Sequence, residues 1–235
     1  MSSKGKLYLI PNLIANASEN AALPAYNIEV IKHINFFICE HAKPLRALLK
    51  ASGIQSPYNH IEYFELNKHT SEYEIEKFIE PLFKGIDMGL VSDAGCPGIA
   101  DPGAQIVDLA HKNNIEIAPL VGPSSLLLAL MGSGLNGQNF TFNGYLPAKE
   151  KELKLKIQKL EIDARKGISQ IFIEAPYRNQ KMIQWLLKYL TNDTKLCIAY
   201  NLMANDSYLK TKTIAEWHKE KFLFEKNPAV FIIGC

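Results

Sequence analysis

The sequence predicts an α/β protein whose first half is built on a largely parallel sheet, and three observations predict it. Short apolar runs of strand length alternate with segments of helical spacing through most of the 235 residues. Two of the apolar runs end in glycine- and proline-rich turns that lead straight into helical patterns, at 91–103 and 119–135. Apolar residues make up 47% of the chain and charged residues 21%, an ordinary globular composition that excludes disordered and collagenous classes.

Period and residue type place strands at 6–10, 35–39, 61–65, 88–91 and 115–120, with helices at 28–34, 44–51, 71–83 and 104–112 between them. The last of these is the cleanest, because Ile106, Val107, Leu109 and Ala110 fall on one face. A helix at 124–131 begins after Gly122 and Pro123 and is stopped by the Gly-Ser-Gly at 132–134. Beyond it the pattern changes to a charged helix at 148–166, a strand at 170–174, a helix at 180–190 and strands at 195–200 and 229–233. The second half is richer in strand, with mixed pairing expected. The chain thus reads as two domains, an N-terminal α/β lobe at 1–119 and a C-terminal α/β lobe with a mixed sheet at 120–235. No Pro/Ser-rich linker separates them, so the lobes should be closely joined.

Lysine and arginine number 26 against 24 acids, a net charge of +2, so no field on the scale of the whole molecule favours polyanions. Nucleic-acid binding needs a local patch, and the stretch 149–166 is the candidate, with seven basic and four acidic residues. It suits contact with RNA phosphates or, as the commoner use of such a run, a solvated helix laced with i,i+4 ion pairs. Cys39, Cys96, Cys197 and Cys235 include no close pair and read as reduced thiols of a cytoplasmic protein. The six histidines form no His-x-x-x-His or His-Glu-x-x-His pattern, so no metal site is visible. No apolar run approaches the ~18–20 residues of a membrane helix. Lys4 and Lys6 followed by LYLIPNLIANA mimic a weak signal peptide, but Pro11 and Asn12 interrupt it.

Chemistry concentrates in the two turns. VSDAGCPGIADPG, 91–103, sets three glycines and two aspartates after a buried strand, where open α/β sheets bind ligands and glycine lets the backbone approach them. Asp93 there suits a cation. The same turn serves equally as a tight connection in which Asp101 caps the helix and Gly103 relieves crowding. PLVGPSSLLLALMGSGL, 119–135, offers free N–H groups and the hydroxyls of Ser124 and Ser125 at a helix start, though Ser124 also fits a plain N-cap. Neither turn is a Walker A loop or a Gly-x-Gly-x-x-Gly fingerprint.

Together these stretches resemble the tetrapyrrole methylase superfamily, most closely its branch that methylates a ribose 2′-hydroxyl of 16S ribosomal RNA. That branch's Ser-Asp-Ala-Gly-x-Pro-x-x-x-Asp-Pro-Gly is matched from Ser92 to Gly103, and its Pro-Gly-Pro in part by Val121, Gly122 and Pro123. Its Gly-Phe-Leu-Pro-x-Lys element corresponds to Gly144, Tyr145, Leu146, Pro147, Ala148 and Lys149, and its Glu-x-x-His-Arg element to Glu174, Ala175, Pro176, Tyr177 and Arg178. The resemblance implies a tetrapyrrole methylase fold of two α/β lobes with the cofactor cleft between them, usually in a homodimer. It implies S-adenosyl-L-methionine as cofactor, lined by Ile10 and Pro11, by Asp93, Ala94, Gly95, Cys96 and Pro97, and by Gly122, Pro123, Ser124 and Ser125. Ribosomal RNA or the small ribosomal subunit is the implied partner.

Several positions depart from the branch. Its Ala-Glu-Asp-Thr-Arg is here Cys39, Glu40, His41, Ala42 and Lys43. Its Arg-Glu-Leu-Thr-Lys is Tyr200, Asn201, Leu202, Met203 and Ala204, and its Thr-Pro-Ile-Gly-Asn-Leu has become Ile10 to Leu13. A ribose hydroxyl gains from an orienting or basic group. Glu40 at a strand's end is one candidate catalytic residue, and Arg178, able to hold a phosphate, is another. A surface carboxylate and a helix-flanking arginine are their bland alternatives. His41 suits a titrating role or a partly buried polar one, and Cys96 a small apolar filler. The leading expectation is ribose methylation of small-subunit ribosomal RNA. A methyltransferase acting on a small, tetrapyrrole-like acceptor and a degenerate cofactor-binding relative without activity are the rivals.

Overall fold

The computed structural model describes residues 3–15, 22–67, 69–221 and 226–235. The end of the apolar N-terminal stretch weighed as a signal peptide, beyond Ala15, lies outside the described residues. The chain divides into two units, Met1–Ser124 and Ser125–Cys235.

The first unit is built on five strands, β1 (Leu7–Ile10), β2 (Phe36–Cys39), β3 (Glu62–Glu65), β4 (Met88–Val91) and β5 (Ile117–Pro119), ordered β3-β2-β4-β1-β5. Every pairing is parallel. A parallel sheet needs a crossover between neighbouring strands, and helices supply it on both faces. Side-chain alternation sorts the core accordingly. Ile10, Phe37, Cys39 and Val91 meet the helices Ala25–His33 and Ala42–Ala51 on one face. Leu7, Ile38, Met88 and Leu90 meet helices Glu72–Phe78 and Ala104–Lys112 on the other. The single helix expected at 71–83 is two, Glu72–Phe78 and Glu80–Phe83, broken at Ile79. Pro81 lies in the first turn of the second helix. It has no N–H to donate and would crowd the carbonyl of Lys77 in a continuous helix.

In the second unit, β6 (Phe140–Tyr145), β7 (Ser169–Glu174), β8 (Lys195–Tyr200), β9 (Tyr208–Thr213) and β10 (Ala229–Gly234) order as β6-β7-β10-β8-β9. β6 runs parallel to β7 and the other pairs are antiparallel. Helices Glu150–Arg165 and Asn179–Tyr189 cover Phe172, Ile198 and Phe231, while helix Ser125–Ser133 covers Ile171, Cys197, Val230 and Ile232. No helix among the described residues is long and apolar enough to cross a membrane.

Candidate functional site

Because β1, β2 and β4 are parallel and in register, with Ile10 and Cys39 both opposite Val91, the segments that leave these strands emerge at one edge of the sheet. They are Pro11–Asn12, Glu40–His41 and Ser92–Asp93. This is the carboxyl edge, where open α/β sheets place their ligands.

Asn12 fastens two of these segments. Its N–H donates to the Gly95 carbonyl (2.8 Å), and the Gly95 N–H donates back to the Asn12 carbonyl (3.1 Å). The buried Asn12 side chain donates to the carbonyls of Ser92 (3.0 Å) and Asp93 (3.3 Å) and accepts from the Leu13 N–H (2.8 Å). Ser92 Oγ donates inside its own turn to the Gly95 carbonyl (2.9 Å). Gly95 has φ +71°, a left-handed conformation that costs a residue with a Cβ about 1–2 kcal/mol. The second glycine turn closes on the same place. A Cβ at Gly122 would lie 2.3 Å from Pro11 Cβ and 2.5 Å from its Cγ, so only glycine allows this approach. Cys96 Sγ lies 3.5 Å from the Pro123 carbonyl, and burial pushes its thiol up, keeping it a neutral filler. Ile10, Pro11, the 93–97 turn and Gly122–Pro123 therefore meet within the first unit, Ala94 being the exposed member. Ser124 ends that unit, and Ser125 starts the first helix of the second.

Beside this junction stands a charged cluster that no sequence spacing displayed. His41 Nδ1 lies 2.7 Å from Asp93 Oδ2, and Glu40, His41 and Asp93 each offer one nitrogen or oxygen within 4.8 Å of the others. The two strand ends bring together residues 52 positions apart. Desolvation raises the Glu40 carboxyl above its ordinary value, with repulsion from Asp93 adding to it. Burial pushes Asp101 up to about 6, helped by Glu40 and Asp93. The hydrogen bond to Asp93, then its charge, raise the His41 imidazole. Burial takes the Cys39 thiol behind the cluster up to about 12. Asp93 Oδ1 is buried and has no hydrogen-bond partner among the described residues. With Asp101 the cluster sets three carboxyl groups against one imidazole, an arrangement that favours a cation.

Two expectations change. Asp101 does not cap the following helix: Gly103, with φ +136° and no side chain to bond the free N–H groups, occupies the N-cap. Asp101 lies two residues before that N-cap, between the positive φ of Ala100 (64°) and that of Gly103. His41 is exposed and ion-paired, not partly buried. In the second unit the guanidinium of Arg178 lies 3.1 Å from Glu174 Oε2, whose side chain is fully buried, and it reaches the Pro147 carbonyl at 3.5 Å. That contact does bring the Gly144–Lys149 and Glu174–Arg178 elements together. The late segment after Tyr200 is a turn closed by Asn201 Nδ2 donating to Asp206 Oδ1 (2.6 Å). Of the charged helix, Lys149, Arg165 and Lys166 are paired with Glu152, Asp193 and Asp163. Asn12, which fastens the candidate site, is the residue that spacing missed, and its one signal was an asparagine directly after a proline at a strand's end.

A helix-covered parallel sheet with glycine turns at its carboxyl edge, followed by a mixed sheet, defines an α/β methylase of the tetrapyrrole methylase fold. No protein-family model matches the chain. Three relatives are each named ribosomal RNA small subunit methyltransferase I. The one from a Hydrogenobaculum species is 33% identical, over 84% of this chain and 80% of its own length. Those from Bacillus subtilis and Vibrio cholerae are 31% and 29% identical, over 92% and 97% of this chain and 70% and 76% of their own lengths. The chain belongs to the ribosomal RNA small subunit methyltransferase I family.

Proposed function

We propose that this protein transfers the methyl group of S-adenosyl-L-methionine to a ribose 2′-hydroxyl of small-subunit ribosomal RNA. The observation that carries the reading is the meeting of Pro11, the 92–97 turn and Gly122–Pro123 beside an acidic cluster, in a chain whose relatives are named as methyltransferases of that RNA. Bound there, the cofactor would supply a methyl group on a positively charged sulfonium. The residues fit such a group. Asp93, Glu40 and Asp101 are three carboxyl groups beside the single His41 imidazole, Asp93 Oδ1 has no hydrogen-bond partner among the described residues, and the glycine turns offer backbone without obstruction. Ile10, Pro11, Ala94, Gly95, Cys96, Pro97, Gly122, Pro123, Ser124 and Ser125 complete the proposed binding set. Asn12 holds the 92–95 backbone still, which matters because an in-line displacement gains most from fixed geometry, with effective molarities up to ~10⁵–10⁸ M.

Glu40 serves the acceptor side in this reading. Arg178 serves by fixing the turn that carries Tyr177. The protein works in the cytoplasm as a homodimer. Leu127 and Met131, four residues apart on helix Ser125–Ser133 and both exposed, support an apolar contact with a second copy.

Calorimetry with S-adenosylmethionine, followed by incubation of undermethylated small ribosomal subunits with methyl-labelled cofactor, tests the reading. Label in ribose of the RNA is the expected result. Binding without label in RNA would overturn it, in favour of a small acceptor or of a cofactor-binding relative without transferase activity, the reading that the altered 200–204 segment favours.

A further inference from the structure

Methyl transfer to a ribose hydroxyl leaves one proton to be disposed of, and the structure contains a group suited to it outside the binding set. His41 follows β2 at the carboxyl edge and stands at the N-cap of helix Ala42–Ala51 without bonding that helix through its side chain. Its Nδ1 is 2.7 Å from Asp93 Oδ2, while the ring is 62% exposed. A carboxylate accepting from Nδ1–H fixes the neutral imidazole in the tautomer whose lone pair is on Nε2. That nitrogen is the one turned away from Asp93, and no described residue bonds it. The arrangement is an oriented base: an acid behind, an imidazole in the middle, and an open basic nitrogen in front.

We propose that His41, oriented by Asp93, is the general base that accepts the proton of the acceptor hydroxyl. The inference rests on the proposed methyl transfer and adds a catalytic residue to it. As the hydroxyl oxygen forms its bond to the methyl carbon, the O–H proton passes to His41 Nε2. The carbon–sulfur bond breaks with its electron pair going to sulfur, so the sulfonium becomes a neutral thioether and the imidazole becomes imidazolium. Asp93 stabilises that cation, and the exposed ring returns the proton to solvent. The choice of His41 over Glu40 follows from geometry: Asp93 orients the imidazole and leaves its far nitrogen open, whereas no bond from a described residue orients the Glu40 carboxylate.

The groups facing His41 are Asp93 after β4, Glu40 beside it after β2, and Glu65 at the end of β3, all acidic; Asp101 couples to Glu40 and Asp93. They favour the imidazolium and shift its titration above the ordinary histidine range. Neutral His41 is the active form, so the rate of transfer rises with pH through that raised value.

The test is the pH dependence of single-turnover transfer to small ribosomal subunits at saturating S-adenosylmethionine, for the wild type, His41→Gln and His41→Ala, with added imidazole as a further arm. The wild type is expected to show an ascending limb centred above pH 6.5, the ordinary histidine value. His41→Gln should lose that limb and fall ~10²–10⁴-fold in rate, as general-base removal does. Its affinity for S-adenosylmethionine should change less than threefold. Imidazole should restore part of the activity of His41→Ala, which a structural role would not permit. An active wild type matched within threefold by His41→Gln at every pH, or a slow His41→Ala that imidazole does not rescue, overturns this inference alone. A wild type that binds the cofactor and labels no RNA overturns the proposed function and this inference with it.

Discussion

Replacing Gly122 by alanine tests whether the contact between the two strand ends builds the cofactor wall. The added methyl would stand 2.3 and 2.5 Å from Pro11 Cβ and Cγ. Carbon atoms are comfortable at about 3.5–4.0 Å, so more than an ångström of separation has to be found. A lysine tip would swing aside. A proline ring cannot, since it is tied to its own backbone, and Pro11 is buried directly after β1. The displacement is therefore passed to the end of β1 and to Asn12, whose bonds hold the 92–95 turn. Overpacking of this kind costs about 1–3 kcal/mol. At about 2–4 °C per kcal/mol for a chain of this size, the melting temperature should fall by roughly 2–12 °C. Affinity for S-adenosylmethionine should fall at least tenfold, about 1.4 kcal/mol. Thermal melting and calorimetry on the purified protein measure both. Pro11→Gly in the Gly122→Ala background removes both clashing atoms and should recover part of the loss. A Gly122→Ala protein with unchanged melting temperature and unchanged affinity would refute the reasoning, because the strand ends would then not be in the contact described.

Other consequences are open to measurement. Asn12→Ala strands the carbonyls of Ser92 and Asp93 and the Leu13 N–H, which at about 1–3 kcal/mol for lost buried hydrogen bonding should lower the urea midpoint and weaken cofactor binding together. Arg178→Ala leaves the buried Glu174 carboxylate without its cation and should destabilise the second unit by about 3–5 kcal/mol in urea unfolding, with Arg178→Lys intermediate. Asp101, raised to about 6 from an ordinary 3.8, holds its proton in the folded protein while the unfolded chain releases it. Its contribution to stability is therefore lost as pH rises from about 4 to 6, and Asp101→Asn should flatten that part of the stability–pH curve. A bound sulfonium would draw the proton off Asp101, so cofactor binding near pH 6 should release protons, seen as a calorimetric heat that varies with the buffer's ionisation enthalpy.

Legibility in the sequence tracked burial. β4 and helix Ala104–Lys112 fell where their patterns put them, because their apolar residues face packed layers and the period is undiluted. The two strands that escaped, Phe140–Tyr145 and Tyr208–Thr213, are the two edges of the second sheet. An edge strand packs less and carries residues that discourage further pairing, such as Lys210 and Lys212 in β9. β6 adds Gly144 and a register shift between Phe142 and Tyr145, so neither strand contains an apolar run to find. The break at Ile79 is the opposite kind of miss, a case in which Pro81 was visible and the helical period outweighed it.

The site divides along a similar line. Its first glycine turn was legible because the reason at Gly95 is local, a φ of +71° that belongs to one turn whatever the rest of the chain does, whereas the reason at Gly122 is the approach of Pro11 and shows only in the fold. The charged cluster was illegible because nothing local pairs His41 with Asp93. Their contact exists only because β2 and β4 are hydrogen-bonded in parallel with Cys39 opposite Val91, which sets the second residue beyond one strand beside the second beyond the other. A one-residue slip of that register would carry His41 along the strand direction by about 3.3 Å and break the ion pair. The titration of His41 thus reports on sheet register. Asp93→Asn should bring the imidazole back toward its ordinary value with the sheet intact, and an NMR titration that left it unmoved would show that the two strand ends are not aligned as described.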